Sequence, residues 1–238
     1  TKDFTSARLN SKFAFTYGRV EVRAKLPTGV GTWPAIWMLG QNITEIGSYW
    51  QVQGYGTTSW PMCGEIDIME HWGSNQDYVS SAIHSPSSFG GTVNVGGQMV
   101  NGASTSFHIY ALEWSETKMV FSVDSVVHYT YEPSTYTPST WPFDNPQFLL
   151  LNIAILPSID TSFTSSSMEV DYVRVYQQSN LSLEEQASNG IGALGNPFEE
   201  QLFVRLNGPS TINLYDMAGK QIYSQLHDGS VHIETEAY

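Results

Sequence analysis

Between Lys12 and Leu26 apolar and polar residues alternate with a period of two, and the alternation changes parity once, at Gly18. Phe13, Phe15 and Tyr17 hold one parity; Val20, Val22, Ala24 and Leu26 hold the other. Successive side chains leave a strand on opposite sides, so this pattern describes a strand with one buried face. Glycine at the switch suits a bulge or turn that resets the parity. The pattern returns in Phe107–Trp114, through Tyr110, Leu112 and Trp114, and Met119–Tyr131 reads as a hairpin about Asp124-Ser125. No amphipathic helix of useful length precedes residue 180, and no internal repeat is found. An all-β chain is expected. At 238 residues and 41% apolar composition it can hold one sandwich and a small further module.

Inside this pattern, residues 64–73 read GEIDIMEHWG, which places Glu65, Asp67 and Glu70 in a strand-like apolar run. By strand parity Glu65 and Asp67 share a face and Glu70 takes the other. One extra residue, a bulge at Ile68-Met69, would return Glu70 to the first face and align three carboxylates. Folding does not reward three like charges on one face, because each raises the others' pKa and all must be desolvated. The spacing therefore points to chemistry that needs one ionised and one protonated carboxyl. With the bulge, Glu65 and Glu70 lie roughly 13 Å apart between Cα atoms, at about 3.3 Å per residue. Only if they lean together on a concave strand do the carboxyls approach the separation of about 5–5.5 Å used by retaining glycosidases.

Charge narrows the partners. The formal charge is −13 with ten Lys plus Arg, which argues against nucleic acid and anionic membranes and favours a neutral polymer. The longest apolar run, Phe148 to Leu156, is too short to span a bilayer. Seven Trp and thirteen Tyr supply flat faces for sugar rings, although sandwich cores also use them. Cys63 has no partner cysteine and reads as a small buried thiol.

The motif Glu65-Ile-Asp-Ile-Met-Glu70 resembles the catalytic motif of glycoside hydrolase family 16, in its bulged, laminarinase-type branch. The resemblance extends over most of residues 5–177. It is carried by Tyr17-Gly-Arg-Val-Glu-Val-Arg-Ala-Lys-Leu-Pro, Gly31-Thr-Trp-Pro-Ala-Ile-Trp-Met-Leu-Gly, Pro142-Phe-Asp, Leu151-Asn-Ile-Ala and Val170-Asp-Tyr-Val-Arg-Val-Tyr. It implies a jelly-roll β-sandwich with a cleft on its concave sheet, and a retaining endo-β-1,3-glucanase acting on laminarin-like glucan. Glu65 would be the nucleophile, Glu70 the acid/base and Asp67 an electrostatic helper. The alternatives are a hydrolase of another algal or mixed-linkage polysaccharide, or a carbohydrate-binding jelly roll without turnover. A monomer needing no cofactor for catalysis is expected.

By the same resemblance Trp33 and Trp37 would contact sugars. They sit at i and i+4 with Ala35 between, on one strand face, and core packing is the alternative for both, more so for Trp37. His84 would bind a sugar hydroxyl or orient Glu70, or else be a structural histidine. Arg8 would donate to substrate hydroxyls, or else form a surface ion pair. Trp72 keeps the post-bulge parity of Glu70 and would join the cleft. Asp171 matches a position that helps hold a structural calcium ion, whose other ligands would come from elsewhere. His71, His108 and His128 lack metal-ligand spacing and read as structural or surface residues. The segment Gln41–Pro61, with Tyr49, Trp50, Tyr55 and Trp60, is a candidate cleft wall.

Two boundaries are expected. Thr5-Ser-Ala-Arg8 resembles an internal segment of family 16 domains, so 1–177 reads as a catalytic domain lacking its N-terminal part. Phe13, Phe15 and Val20 are then expected to be unusually exposed. Residues 178–195 are polar, with Gly, Ser and Asn, and read as a linker. In 196–238, two short strand patterns around Ala218-Gly219 resemble part of the C-terminal sorting domain of type IX secretion. That implies a secreted or cell-surface protein.

Overall fold

The computed structural model of the chain describes residues 4–177, 191–194, 201–206, 208–215 and 221–234. The chain divides into two compact units, 1–177 and 178–238.

The first unit is a jelly-roll-type sandwich of two antiparallel sheets. One sheet has six strands in the order β1 (Arg8–Phe15), β10 (Gln147–Ile155), β3 (Thr32–Gly40), β4 (Glu65–His71), β5 (Tyr78–His84) and β6 (Val95–Met99). The other runs β11 (Glu169–Tyr176), β2 (Gly18–Lys25), β7 (His108–Trp114), β8 (Met119–Val123), β9 (Val126–Tyr131). Among the described residues the only helix is α1 (Tyr49–Val52). The period-two pattern reappears as burial: Val20, Val22 and Ala24 face inward from β2, and Tyr110, Leu112 and Trp114 from β7. They meet Ile36 and Met38 of β3, Ile66, Ile68 and Met69 of β4, and Val79 and Ile83 of β5 in one core. The parity change at Gly18 is a backbone event, with Tyr17 at φ 60° and Gly18 at φ 133°. Asp124 and Ser125, both at positive φ, turn β8 into β9 as a two-residue hairpin.

The expected exposure of the early strands holds for only one of the three residues. Phe13 is half exposed and stacks on Phe15, whereas Phe15 and Val20 are buried. β2 is paired on both sides, by β11 and β7, and Phe15 packs against Trp114, so both residues have the neighbours that burial needs. Cys63 is buried, and burial pushes its thiol up to about 12.

The second unit contains a three-stranded sheet of β12 (Ile191–Leu194), β13 (Gln201–Leu206) and β16 (Val231–Glu234), and a hairpin of β14 (Pro209–Tyr215) and β15 (Gln221–Asp228). Val204, Leu206 and Ile233 form its core, with Ile212, Tyr223 and Val231 packed against them. Ile191–Leu194, which composition assigns to the linker, pairs with β13. Backbone pairing needs no particular side chains, so a short Gly/Ala-bearing strand carries little compositional signal. The remainder of 178–195 and the Ala218-Gly219 turn lie outside the described residues.

Candidate active site

β4 carries one residue more than its neighbours. Ile36 pairs with Met69 and Trp37 with Asp67, so Ile68 has no counterpart on β3; on the other side Asp67 pairs with Ala82 and Glu70 with Ser80. The register shift lies at the Ile68-Met69 step, where parity required it. Ile68 and Met69 both point into the core, and the alternation restarts one residue late. Glu65, Asp67 and Glu70 therefore share the face of the six-stranded sheet turned away from the core. Asp67 is buried and the two glutamates are partly so.

β3 supplies the next row on this face. Ala35 lies opposite Glu70, Trp37 opposite Asp67 and Leu39 opposite Glu65. Trp33 donates its indole Nε1–H to Oε1 of Glu70 at 3.0 Å and stacks on Trp72, with ring centroids 5.5 Å apart and planes 20° from parallel. Trp37 donates to Oδ1 of Asn152 at 2.7 Å, an amide on β10. The turn before β3 is held tightly. A Cβ on Gly31, at φ 92°, would strike the backbone of Ile159, and the amides of Leu156 and Asp160 donate to the carbonyls of Gly31 and Val30. The Ile155–Asp160 segment thus seats the turn that presents Trp33.

His84 ends β5 directly opposite Glu65. Its Nε2 is 3.1 Å from Oδ2 of Asp67 and 3.6 Å from Oε1 of Glu65. The resemblance placed this imidazole beside Glu70. The antiparallel register instead gives Glu70 the neighbour Ser80 and sets His84 against the other two acids. Arg8 lies over the Trp37 ring at 5.3 Å and pairs with Glu45 at 2.9 Å, so it forms an ion pair beside an indole of this face.

The segment Gln41–Pro61 forms one end of this face. Trp50, in α1, is buried against Leu39, Phe148 and Leu150 in a second apolar cluster. The segment then delivers Trp60, whose Nε1–H donates to Oε2 of Glu65 at 3.0 Å and whose ring meets Phe89 edge-on. Sequence reading named Trp60 only as part of a cleft wall and did not single out Asn152. The available signals were an indole five residues before Glu65 and a lone amide inside the apolar run 148–156.

All three carboxyls sit above the ordinary carboxylate range. Burial and the neighbouring Asp67 push Glu70 up to about 7, against the Trp33 hydrogen bond, which favours the ionised form. Burial raises Glu65 and Asp67 as well, and the two repel each other, with His84 and the Trp60 donor opposing the rise at Glu65. A lower pKa for Glu65 than for Glu70, expected from the roles alone, is not what burial produces. Glu65 and Asp67 are one coupled pair, and their protons belong to the pair.

Glu65, Asp67 and His84 place one ligand atom each within 4.8 Å of one another, a spacing that would admit a cation, though acid/base work by carboxyls needs none. Asp171 lies on β11 and gives its carboxylate to Arg23 at 2.6 Å. One carboxylate, already paired with a guanidinium, falls well short of the six to eight oxygens that calcium takes. Among the described residues, Asp171 does not belong to a group of three or more His, Cys, Asp or Glu side chains that could hold a metal ion. Of the other histidines, His71 bonds the carbonyl of Tyr78 and His108 the carboxylate of Asp124, while His128 reaches into the core. No described helix is long and apolar enough to cross a membrane.

This geometry has close counterparts. The family model of glycosyl hydrolases family 16 matches residues 1–174. The chain is 40% identical over 191 residues to a beta-glucanase of Rhodothermus marinus, covering 74% of this chain and 63% of that one. It is 38% identical over 179 residues to a keratan-sulfate endo-1,4-beta-galactosidase of Sphingobacterium multivorum, covering 70% and 38%. The crystal structure of a LamA variant from Zobellia galactanivorans, in complex with laminaritriose and laminaritetraose, superposes with a TM-score of 0.65 at 44% identity over 74% of this chain and 71% of that one. The chain thus spans less than two thirds of the length of these two curated relatives. With a bulged strand aligning three acids on a sandwich of this topology, and a family match through residue 174, the chain belongs to glycosyl hydrolase family 16.

Proposed function

We propose that this protein is a retaining endo-β-1,3-glucanase that cleaves laminarin-like glucan, with Glu65 as nucleophile and Glu70 as general acid/base. The observation that carries the reading is the bulge at Ile68, which turns Glu70 onto the face of Glu65 and Asp67, each terminal carboxylate accepting an indole hydrogen bond. Glu70, pushed up to about 7, holds its proton in mildly acid and neutral solution and can deliver it to the glycosidic oxygen. Glu65 attacks the anomeric carbon as that bond breaks, forming a glycosyl ester. Glu70, now ionised, removes a proton from water, which attacks the same carbon and releases Glu65. Attack from opposite faces in two steps retains the configuration.

Asp67 completes the scheme. It is the most buried of the three, and its Oδ2 faces Nε2 of His84 at 3.1 Å. Within the coupled pair the proton is best held there, which leaves Glu65 ionised beside the Trp60 N–H. Trp33, Trp72 and Trp37 offer aromatic faces for the apolar C–H faces of glucose, with Arg8 and His84 beside them as hydrogen-bond donors. A net charge of −13 suits a neutral glucan better than a sulfated one. The test is the release of reducing ends from laminarin, lichenan and agarose, with Glu65→Ser as control and the anomer of the first product read by NMR. Laminarin cleaved fastest, with the β-anomer formed first, supports the reading; binding without turnover, or fastest cleavage of agarose, sinks it.

We further propose that 196–238 acts as an export signal of the type IX kind, on the strength of its two short strand patterns. Fusing that segment to a reporter in a host with that secretion route, and finding it retained in the cell, would refute the assignment.

A further inference from the structure

Ser81 lies midway along β5, facing the core between the pairs Asp67–Ala82 and Glu70–Ser80, and so opposite the bulge. It is fully buried, and its Oγ is 2.7 Å from the carbonyl oxygen of Ile68 and 2.8 Å from Nε2 of His128. A carbonyl only accepts, so the single hydroxyl hydrogen goes to Ile68, and His128 must donate its Nε2–H to Ser81. That requires the neutral Nε2–H tautomer. Burial lowers His128 to about 4, which keeps it neutral, and its Nδ1 is buried without a partner.

His128 is itself the extra residue of a second bulge. Phe121 pairs with Tyr129 and Ser122 with Val127, leaving residue 128 without a counterpart on β8. Tyr129 packs against the core and Tyr131 is part of it, so simple alternation would turn His128 outward; the bulge turns it in. Two irregularities, one in each sheet, thus meet through one hydroxyl. A bulge leaves its extra residue outside the regular ladder, and the carbonyl of such a residue in a core needs another donor.

We infer that Ser81 and His128 form a strut that fixes the β4 bulge and thereby positions Glu70 toward Asp67 and Trp33. Neither residue is part of the row of cleft side chains; they act through the backbone of Ile68. The inference rests on the reading of Glu70 as acid/base only for its effect on turnover. Its structural content concerns where the Glu70 carboxyl is held.

The experiment compares Ser81→Ala, His128→Leu and His128→Gln with the parent by laminarin kinetics and by ¹³C NMR titration of the Glu70 carboxyl. Leu112→Ala is the control: it opens a cavity in the same core without removing a strut atom. A misplacement of about 1 Å costs up to about a hundredfold in rate, so Ser81→Ala and His128→Leu are expected to lower kcat roughly tenfold or more with KM within about twofold. Both should move the Glu70 midpoint by about half a unit or more, because its contacts with Trp33 and Asp67 change. His128→Gln, whose amide can donate from near the same place, should recover most of both effects. Leu112→Ala should lower the melting temperature and leave the midpoint alone. If Ser81→Ala folds with the parent's midpoint and kcat, the strut has no positioning role. If it does not fold, the His128→Leu and His128→Gln pair carries the same decision. If the parent cleaves no β-glucan, the glucanase reading fails, and the Glu70 titrations alone decide the strut.

Discussion

Trp60 and Glu65 are five residues apart, and the indole Nε1–H of the first meets Oε2 of the second at 3.0 Å, so the end of the Gln41–Pro61 segment is tied to the proposed nucleophile. An N–H donor favours the ionised carboxylate, and its removal raises the pKa. Trp60→Phe keeps most of the ring and loses the donor. The acid limb of the pH–rate profile, set by ionisation of the nucleophile, is expected to move to higher pH. Turnover should fall by about ten- to a hundredfold, the scale of a hydrogen bond to a charged group of about 1.5–3 kcal/mol. An unmoved acid limb would mean the contact does not govern Glu65.

Trp33→Phe makes the matching change at the other end. The stack on Trp72 is largely kept, while the hydrogen bond that lowers Glu70 is lost. Glu70 should then titrate above its present value of about 7, and the basic limb of the profile should shift upward by roughly one unit. A downward shift of that limb would contradict the assignment of Glu70 as the acid.

Glu65→Gln removes the nucleophile without changing its shape and is expected to reduce laminarin hydrolysis by orders of magnitude with little effect on folding. Residual activity above a tenth of the parent, a loss of less than about 1.4 kcal/mol in the barrier, would show that another group forms the covalent bond.

Glu70 also makes stability depend on pH. Its value rises from 4.5 to about 7 on folding, so the native state holds the proton more tightly than the unfolded chain. The contribution is fully present below about pH 4.5 and is lost as pH rises through about 7, by at most about 3 kcal/mol. Melting temperatures of the parent and of Glu70→Gln at pH 4.5 and 7.5 test this. The drop between the two pH values should be smaller in the variant, and equal drops would remove Glu70 as a source of the dependence.

Much of the sandwich was legible because a strand with one buried face writes its orientation into alternate residues. Val20, Val22 and Ala24 are as buried as their parity requires, and the turn at Asp124-Ser125 falls where the pattern breaks. The bulge was legible for the same reason, since only an extra residue reconciles Glu65 and Asp67 with Glu70. What alternation does not carry is which strands become neighbours.

Local sequence by itself determined the face on which each side chain of β3 and β4 lies, because that depends only on backbone geometry within a few residues. Tertiary structure alone decided that His84 meets Asp67 and Glu65 and not Glu70, since this follows from the β4–β5 register. It alone brought Trp60 back onto Glu65, Asn152 under Trp37, and Ser81 between Ile68 and His128. It also raised Glu65 along with Glu70, because desolvation is a property of everything packed around a carboxyl and not of the motif that contains it.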